Sequence, residues 1–474
     1  MVGEPQDFPF NAAASALRER IHGTVVVPGD AEYDEARAVW NGMIDRHPAA
    51  IVRVADVADV VTAIAFGREH ALAIAVRGGG HNVAGNGTVD DGLVIDLTAL
   101  DTIEVDRSRG TVRVGAGATL GDLDRATEPL GLVVAGGVVS TTGVGGLTLG
   151  GGVGWLTRPH GLTIDNLVSA DVVTASGEVV HASETENPDL LWGLRGGGGN
   201  FGVVTSFEFR SHPLPAPLYA GAVIHTRDQW TNALRFYAGW TAELPDEMTS
   251  IITFITPPAE MMPPELHGQP VMIQGFMWAG VDREAGERLV APLAAFGPPA
   301  LVAIEPVGWL DWQSAFDAVV PKGTRAYWKN CYFDRLDEGA IGTIVDIASR
   351  RASPIAGVDI HHMGGAFGQV PEEATAFTNR AAGFWLNMYA MWHDPAGDDV
   401  NRRWARDSWA AMQPHAAEGM YVNFMGADGG SAADIREAAR AAYGDRKLAR
   451  LIELKDRYDP DNVFRLNHNI PPSG

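Results

Sequence analysis

The chain has 474 residues, 46% hydrophobic and 20% charged, which describes a folded globular protein of two or three domains and excludes a fibrous or disordered one. Its formal charge of −23 excludes nucleic acid and anionic membranes as partners, since both require clustered Lys and Arg against phosphate. Cys331 is the single cysteine, so neither an internal disulfide nor a cysteine-based metal site can form.

The first residues have no basic stretch and no apolar run, so no signal peptide is expected and the cytoplasm is the expected location. Residues 51–54 predict a strand. Asp56 caps a helix with Val57, Val60, Val61 and Ile64 at helical spacing, and the chain returns as a strand over 72–76. This β-α-β unit delivers Arg77-Gly78-Gly79-Gly80-His81-Asn82 at a strand's carboxyl end, where α/β folds place ligands. Three successive glycines let backbone N–H groups close on a bulky anionic group. Further strands are predicted over 92–97, 103–105 and 111–114, the last two as a hairpin, and Thr119 opens a helix running to about Glu128.

A second glycine cluster holds Gly143, Gly146, Gly150, Gly151, Gly152 and Gly154. It interrupts the most apolar stretch of the chain (130–156) and argues against a membrane span there. Strands follow over 167–174 and 178–181. A third cluster, residues 195–202, satisfies G-x-G-x-x-G through Gly197, Gly199 and Gly202. That fingerprint requires a helix next. Residues 203–209 are instead β-branched and aromatic, which predicts a strand and excludes a Rossmann site.

Residues 77–81, the 143–154 cluster, Gly161-Leu-Thr-Ile-Asp-Asn166 and Gly199-Asn-Phe-Gly-Val-Val204 occur together in this order. The set resembles the FAD-linked oxidases of the berberine bridge enzyme type, within the vanillyl-alcohol-oxidase (PCMH-type) flavoprotein superfamily. The resemblance implies covalent FAD joined to His81. It implies a pyrophosphate loop at Arg77, Gly78, Gly79, Gly80 and Asn82, and cofactor-lining backbone at Thr142, Gly143, Gly146, Gly150, Gly151 and Gly152. Val204 then contacts the adenine side. Many relatives add a second bond from a cysteine whose slot here is Val139, so a single linkage is implied. Thr142, small where a bulky residue shields the flavin from O2 in some relatives, implies an oxidase.

Residues 213–217 form a proline-rich joint. Beyond it strands are predicted over 219–225, 249–255, 270–278, 357–363 and 384–392, with helices over 227–243, 282–295 and 337–348. The expected fold is α+β. An FAD-binding domain (1–215) is completed by the carboxyl-terminal segment (415–474), and a substrate domain (216–414) is inserted as a mixed or antiparallel sheet covered by helices. Aromatic and methionine residues on that sheet, among them Phe276, Trp278, Trp328 and Met363, are expected to line an apolar substrate pocket. Gln369 resembles the family position over the reactive face of the flavin, where an amide can orient but cannot accept a proton. Tyr421, in Tyr421-Val-Asn-Phe424, matches a family tyrosine and is expected to remove or relay the proton. His361 is held in reserve, since one of the adjacent pair His361–His362 must face the pocket and the other away. Helices over 431–443 and 445–458 precede Asn467 and Asn469, which the resemblance places at the flavin ring.

The expected activity is hydride transfer from an alcohol, amine or activated aromatic position of a small molecule, such as an aromatic secondary metabolite, to flavin N5, with O2 giving H2O2. The alternatives are a dehydrogenase with another acceptor and a sugar oxidase on the same fold. No G-x-S-x-G or H-E-x-x-H pattern supports a hydrolase or a metal centre.

Overall fold

In the computed structural model, which describes residues 10–426 and 432–474, the first domain is built on two sheets. One has the order Thr24–Val26, Ala50–Arg53, Leu93–Asp96, Ile74–Arg77, its last three strands parallel. Asp56 caps the connecting helix Val57–Glu69 by accepting the Asp59 N–H. Ala50–Arg53 and Ile74–Arg77 do not pair with each other; Leu93–Asp96 lies between them. The glycine run therefore leaves a strand that sits in this parallel sheet and is mostly buried.

The second sheet is antiparallel, in the order Ile103–Asp106, Thr111–Gly115, Val203–Arg210, Leu167–Val173, Val179–Ser183. Val203–Arg210 runs through its centre, with Phe207 and Phe209 fully buried. A strand thus follows the third glycine cluster, and no helix N-terminus is available there for a pyrophosphate.

The inserted domain is a seven-stranded sheet: Leu301–Val307, Leu218–Thr226, Val271–Trp278, Met248–Ile255, Gly357–His362, Phe384–Trp392, Arg325–Phe333. Every pairing is antiparallel, not mixed. Two of its strands, Leu301–Val307 and Arg325–Phe333, escape the sequence reading. The first is a half-exposed edge carrying Glu305 and Pro306, without alternation. Helices Trp230–Thr241, Arg283–Ala295, Glu338–Ser349 and Asp398–Met412 cover one face, packing Tyr237, Leu293, Ile344 and Trp404 on Ile252, Phe254 and Met388. The other face is turned to the first domain.

Among the buried cations that fasten the parts together are Arg158 and Lys455. Arg158 donates to the carbonyls of Met248 (2.8 Å), Pro245 (3.1 Å), Leu244 (3.2 Å) and Met363. Replacing it with Met strands these carbonyls, and thermal denaturation should show a loss of ~3 kcal/mol. The helical stretch Ala432–Tyr458 is broken at Gly444 (φ 66°) into two helices, as expected; the predicted start at 431 lies outside the described residues. Its end carries Lys455, paired with Asp459 at 2.6 Å, both fully buried. From there the chain returns to the first domain, burying Phe464 and Ile470 in its core. No helix among the described residues is long and apolar enough to cross a membrane.

Candidate active site

A cavity of about 470 Å³ runs between the glycine loops of the first domain and the helix-free face of the seven-stranded sheet. Its first-domain wall is formed by residues 77–82 with Thr142, Gly143, Gly146, Gly150, Val204 and Asn467. Val139 also lines it. The structure therefore gathers most of the expected cofactor positions around one space.

The glycines serve two purposes. At Gly146 an added Cβ would meet nothing within 4 Å, so its backbone is open to the cavity. At Gly79 and Gly143 the two loops cross: a Cβ on Gly79 would sit 2.4 Å from Gly143 N, and one on Gly143 would sit 2.3 Å from Gly79 N. Gly151 and Gly152, expected at the cofactor, do not line the cavity. A Cβ there would strike Phe377 at 2.7 Å and Thr163 Oγ1 at 2.0 Å, so these two admit neighbouring side chains and not a ligand.

His81 stacks on Trp40 (centroids 5.5 Å apart, planes at 22°), and its Nε2 lies 3.0 Å from Thr141 Oγ1. Desolvation, with the Lys322 charge adding to it, lowers its pKa to about 4, so the ring is neutral at physiological pH. Arg77 is buried and paired with Asp96 at 2.6 Å, which leaves its Nη1 without a partner. His468, half-buried and lowered to about 4 by desolvation, lines the cavity with an unpartnered Nε2. The resemblance implies Asn467 and Asn469, one residue to either side. His468 has φ 39°, which breaks the alternation of an extended chain and brings its ring to the wall, while Asn469 is off it.

The sheet side corrects several expectations. Gln369 is exposed, at the end of the short helix Ala366–Gln369, and its amide donates to Asp246 at 2.8 Å. Gly364 and Gly365, both at positive φ (85° and 57°), turn the chain off the strand before it reaches Gln369. Phe276 and Trp278 belong to the opposite face and pack under the helices. Met363 is buried among Phe367, Phe377 and Trp385. Trp328 does line the cavity, stacked on Phe424 at 4.8 Å.

Tyr421 is fully buried and does not line the cavity. Its hydroxyl accepts the Gly152 N–H at 2.8 Å and the Asn423 amide at 2.9 Å. Burial raises its pKa to about 12, more than those hydrogen bonds lower it, so it is a poor base. It instead positions Asn423, which reaches the cavity.

On the cavity face of Gly357–His362 stand Asp359 and His361. His362 faces away, 3.3 Å from Arg158. Burial drops His361 to about 3, so it stays neutral. Asp359 went unread although the signal was present: it lies two residues before His361, on the same face of a strand. It is half-buried, its open side on the cavity, and it sits opposite Thr253 and Asn387 and accepts the Tyr389 hydroxyl at 3.1 Å. Desolvation raises its pKa to about 7, with the hydrogen bonds from Thr253 and Tyr389 holding it back. A carboxyl that exchanges its proton near neutrality, on the wall of the main cavity, suits acid–base chemistry.

The wall also fits a flavin cofactor: open backbone at Gly146, an unpartnered Arg77 nitrogen, and unpartnered polar atoms on His468 and Asn387. Comparison with known proteins agrees. Residues 48–183 match the FAD binding domain family and residues 420–471 the berberine and berberine-like family. An FAD-linked oxidoreductase of Dictyostelium discoideum is 31% identical over 460 residues, 96% of each chain. (R)-6-hydroxynicotine oxidase of Paenarthrobacter nicotinovorans is 31% identical over 463 residues, covering 96% of this chain and 98% of the other. The structure of 6-hydroxy-D-nicotine oxidase from Arthrobacter nicotinovorans matches with a TM-score of 0.84 at 27% identity, covering 96% of this chain and 98% of that one. Chitooligosaccharide oxidase shares the fold, with a TM-score of 0.83 at 24% identity over 98% of this chain and all (100%) of the other. The chain thus belongs to the berberine-bridge-enzyme-like FAD-linked oxidoreductases, with a PCMH-type FAD-binding domain.

Proposed function

We propose that this protein is an oxidase that converts a small alcohol or amine to the carbonyl or imine, with Asp359 as proton acceptor. Bound FAD would supply the two-electron acceptor for the substrate hydride and pass the electron pair to O2, giving H2O2. The C–H bond loses hydride while the neighbouring O–H or N–H proton moves to a carboxylate oxygen of Asp359, and a C=O or C=N bond forms. Tyr389 and Thr253 hold that carboxylate in place, and neutral His361 and Asn387 beside it offer hydrogen bonds to the reacting group. The observation carrying this reading is the desolvated Asp359 carboxyl, poised near 7 on the cavity wall.

His81 would hold the flavin, through a single covalent bond. Its ring is neutral and therefore nucleophilic, and Val139 at the second slot has no sulfur. Acid-precipitated protein should remain yellow, whereas His81→Ala should release all its flavin to the supernatant; colourless wild-type precipitate would remove the tether. Thr142 lines the cavity, and its small side chain would leave O2 a way to bound FAD. Stopped-flow reoxidation in air tests that part: completion in seconds fits an oxidase, and a reaction over minutes assigns the enzyme to the dehydrogenases.

A further inference from the structure

We infer that the substrate is an elongated apolar molecule, oxidised at one end and carrying no hydroxyls along its body, and that it lies across the sheet in a slot beside Asp359. This rests on the proposed oxidation at Asp359 and adds the substrate class.

The cavity face of the sheet is divided by polarity. Cross-strand partners form one continuous row: Leu301, Ile224, Ile273, Thr253, Asp359, Asn387. A parallel row beside it reads Ala303, Ala222, Gly275, Ile251, His361. All eleven positions line the same cavity. Polar chemistry is confined to the end near Asp359, His361 and Asn387. The remaining strands present hydrocarbon; Ala222 and Ala303 are small enough to leave a trench between larger neighbours, and Gly275 admits the Trp155 ring that bounds it, whose nearest atom an added Cβ would meet at 3.1 Å. From the Thr253 strand to the Leu301 edge there are three strand spacings, ~14 Å. Met261 and Met262, with Trp312, Phe316 and Val319, add to the apolar lining of the same cavity. Ala303, at the outer end, is exposed and marks the way in.

Charged side chains along the described lining, histidines aside, are Arg77 and Asp359, and neither is in this outer part. Its unpartnered polar atoms are two indole donors, Trp155 Nε1 and Trp312 Nε1. Both nitrogens are buried donors, and neither can accept a hydrogen bond. A sugar needs acceptors for its hydroxyl protons as well, and each hydroxyl placed on Ile224, Ile273 or Leu301 would lose water without compensation. The slot therefore selects against oligosaccharides, although the fold is shared with an oligosaccharide oxidase.

The test titrates the FAD-loaded enzyme anaerobically with three probes, following the flavin absorbance: 4-hexyloxybenzyl alcohol, benzyl alcohol and cellobiose. The long ether should bind about tenfold or more tightly than benzyl alcohol, because its chain buries several methylenes, and cellobiose should leave the spectrum unchanged. Ala222→Trp fills the trench and should bring the long probe to within about twofold of benzyl alcohol. Ala303→Trp, at the exposed edge, does the same without disturbing the core. Binding by cellobiose, or equal affinity of the long and short alcohols in the wild type, overturns the slot. The order of affinities does not depend on turnover. If it holds but no probe bleaches the flavin, the slot stands and the assignment of Asp359 chemistry falls.

Discussion

Asp359→Asn should reduce the rate of flavin reduction by substrate roughly 10³-fold, the scale of a lost general base. The amide keeps the shape of the side chain and an oxygen to accept from Tyr389 and Thr253, so the loss reports proton transfer and not packing. The wild-type rate should rise with pH through about 7 and flatten above it, because the carboxyl must be ionised to take a proton. That rise should vanish in the variant. Stability should move the opposite way. A carboxyl whose pKa is raised on folding favours the folded state below its unfolded value of about 4 and loses that contribution as pH climbs to about 7. At pH 8 the wild type carries the ionised group at full cost while the neutral amide carries none, so the variant should melt higher there. A variant that melts lower at pH 8, or keeps the pH-dependent limb, would show that Asp359 is a structural acid.

The largest stability loss is expected from Lys455→Met, at ~3–5 kcal/mol, the scale of breaking a buried ion pair from one side. Lys455 Nζ donates to Asp459 and to the carbonyls of Asn200 (2.9 Å) and Phe464 (2.8 Å). Asp459 in turn accepts the N–H groups of Val463 (2.7 Å) and Phe464 (2.8 Å). One pair therefore ties the carboxyl-terminal segment to the third glycine cluster. With the ammonium gone, the carboxylate is left buried and unpaired. Adding Asp459→Asn removes that charge while keeping an acceptor, and the double variant should recover roughly a third or more of the loss in thermal denaturation. No recovery would mean that the carbonyl contacts, not the ion pair, hold the segment.

Local chemistry made much of the fold legible. Asp56 and Thr119 were readable as helix caps because capping depends on residues a few positions apart, and both caps form. The strand at Val203–Arg210 was readable from its β-branched and aromatic composition, and it alone sufficed to reject the dinucleotide fingerprint. The strand Leu301–Val307 was not readable, because a half-exposed edge has no period-two pattern to display. Gln369 was misplaced for a related reason: two glycines in left-handed conformations ended the strand, and sequence does not say which glycines will do so.

Three glycine-rich loops in a fixed order around a histidine, the lack of an internal disulfide, and a strand after the third loop are all legible from the residues alone. These follow from residue chemistry and short-range spacing. Which face of each strand meets the cavity depends on how the two domains pack. Phe276 and Trp278 pack under helices, while Ile273, Gly275 and Asp359 look into the site, a difference of one residue in register that hydrophobicity cannot reveal when both faces are covered. That packing also sets the chemistry at Asp359 and Tyr421, because a pKa depends on how much water the fold removes and on which partners remain.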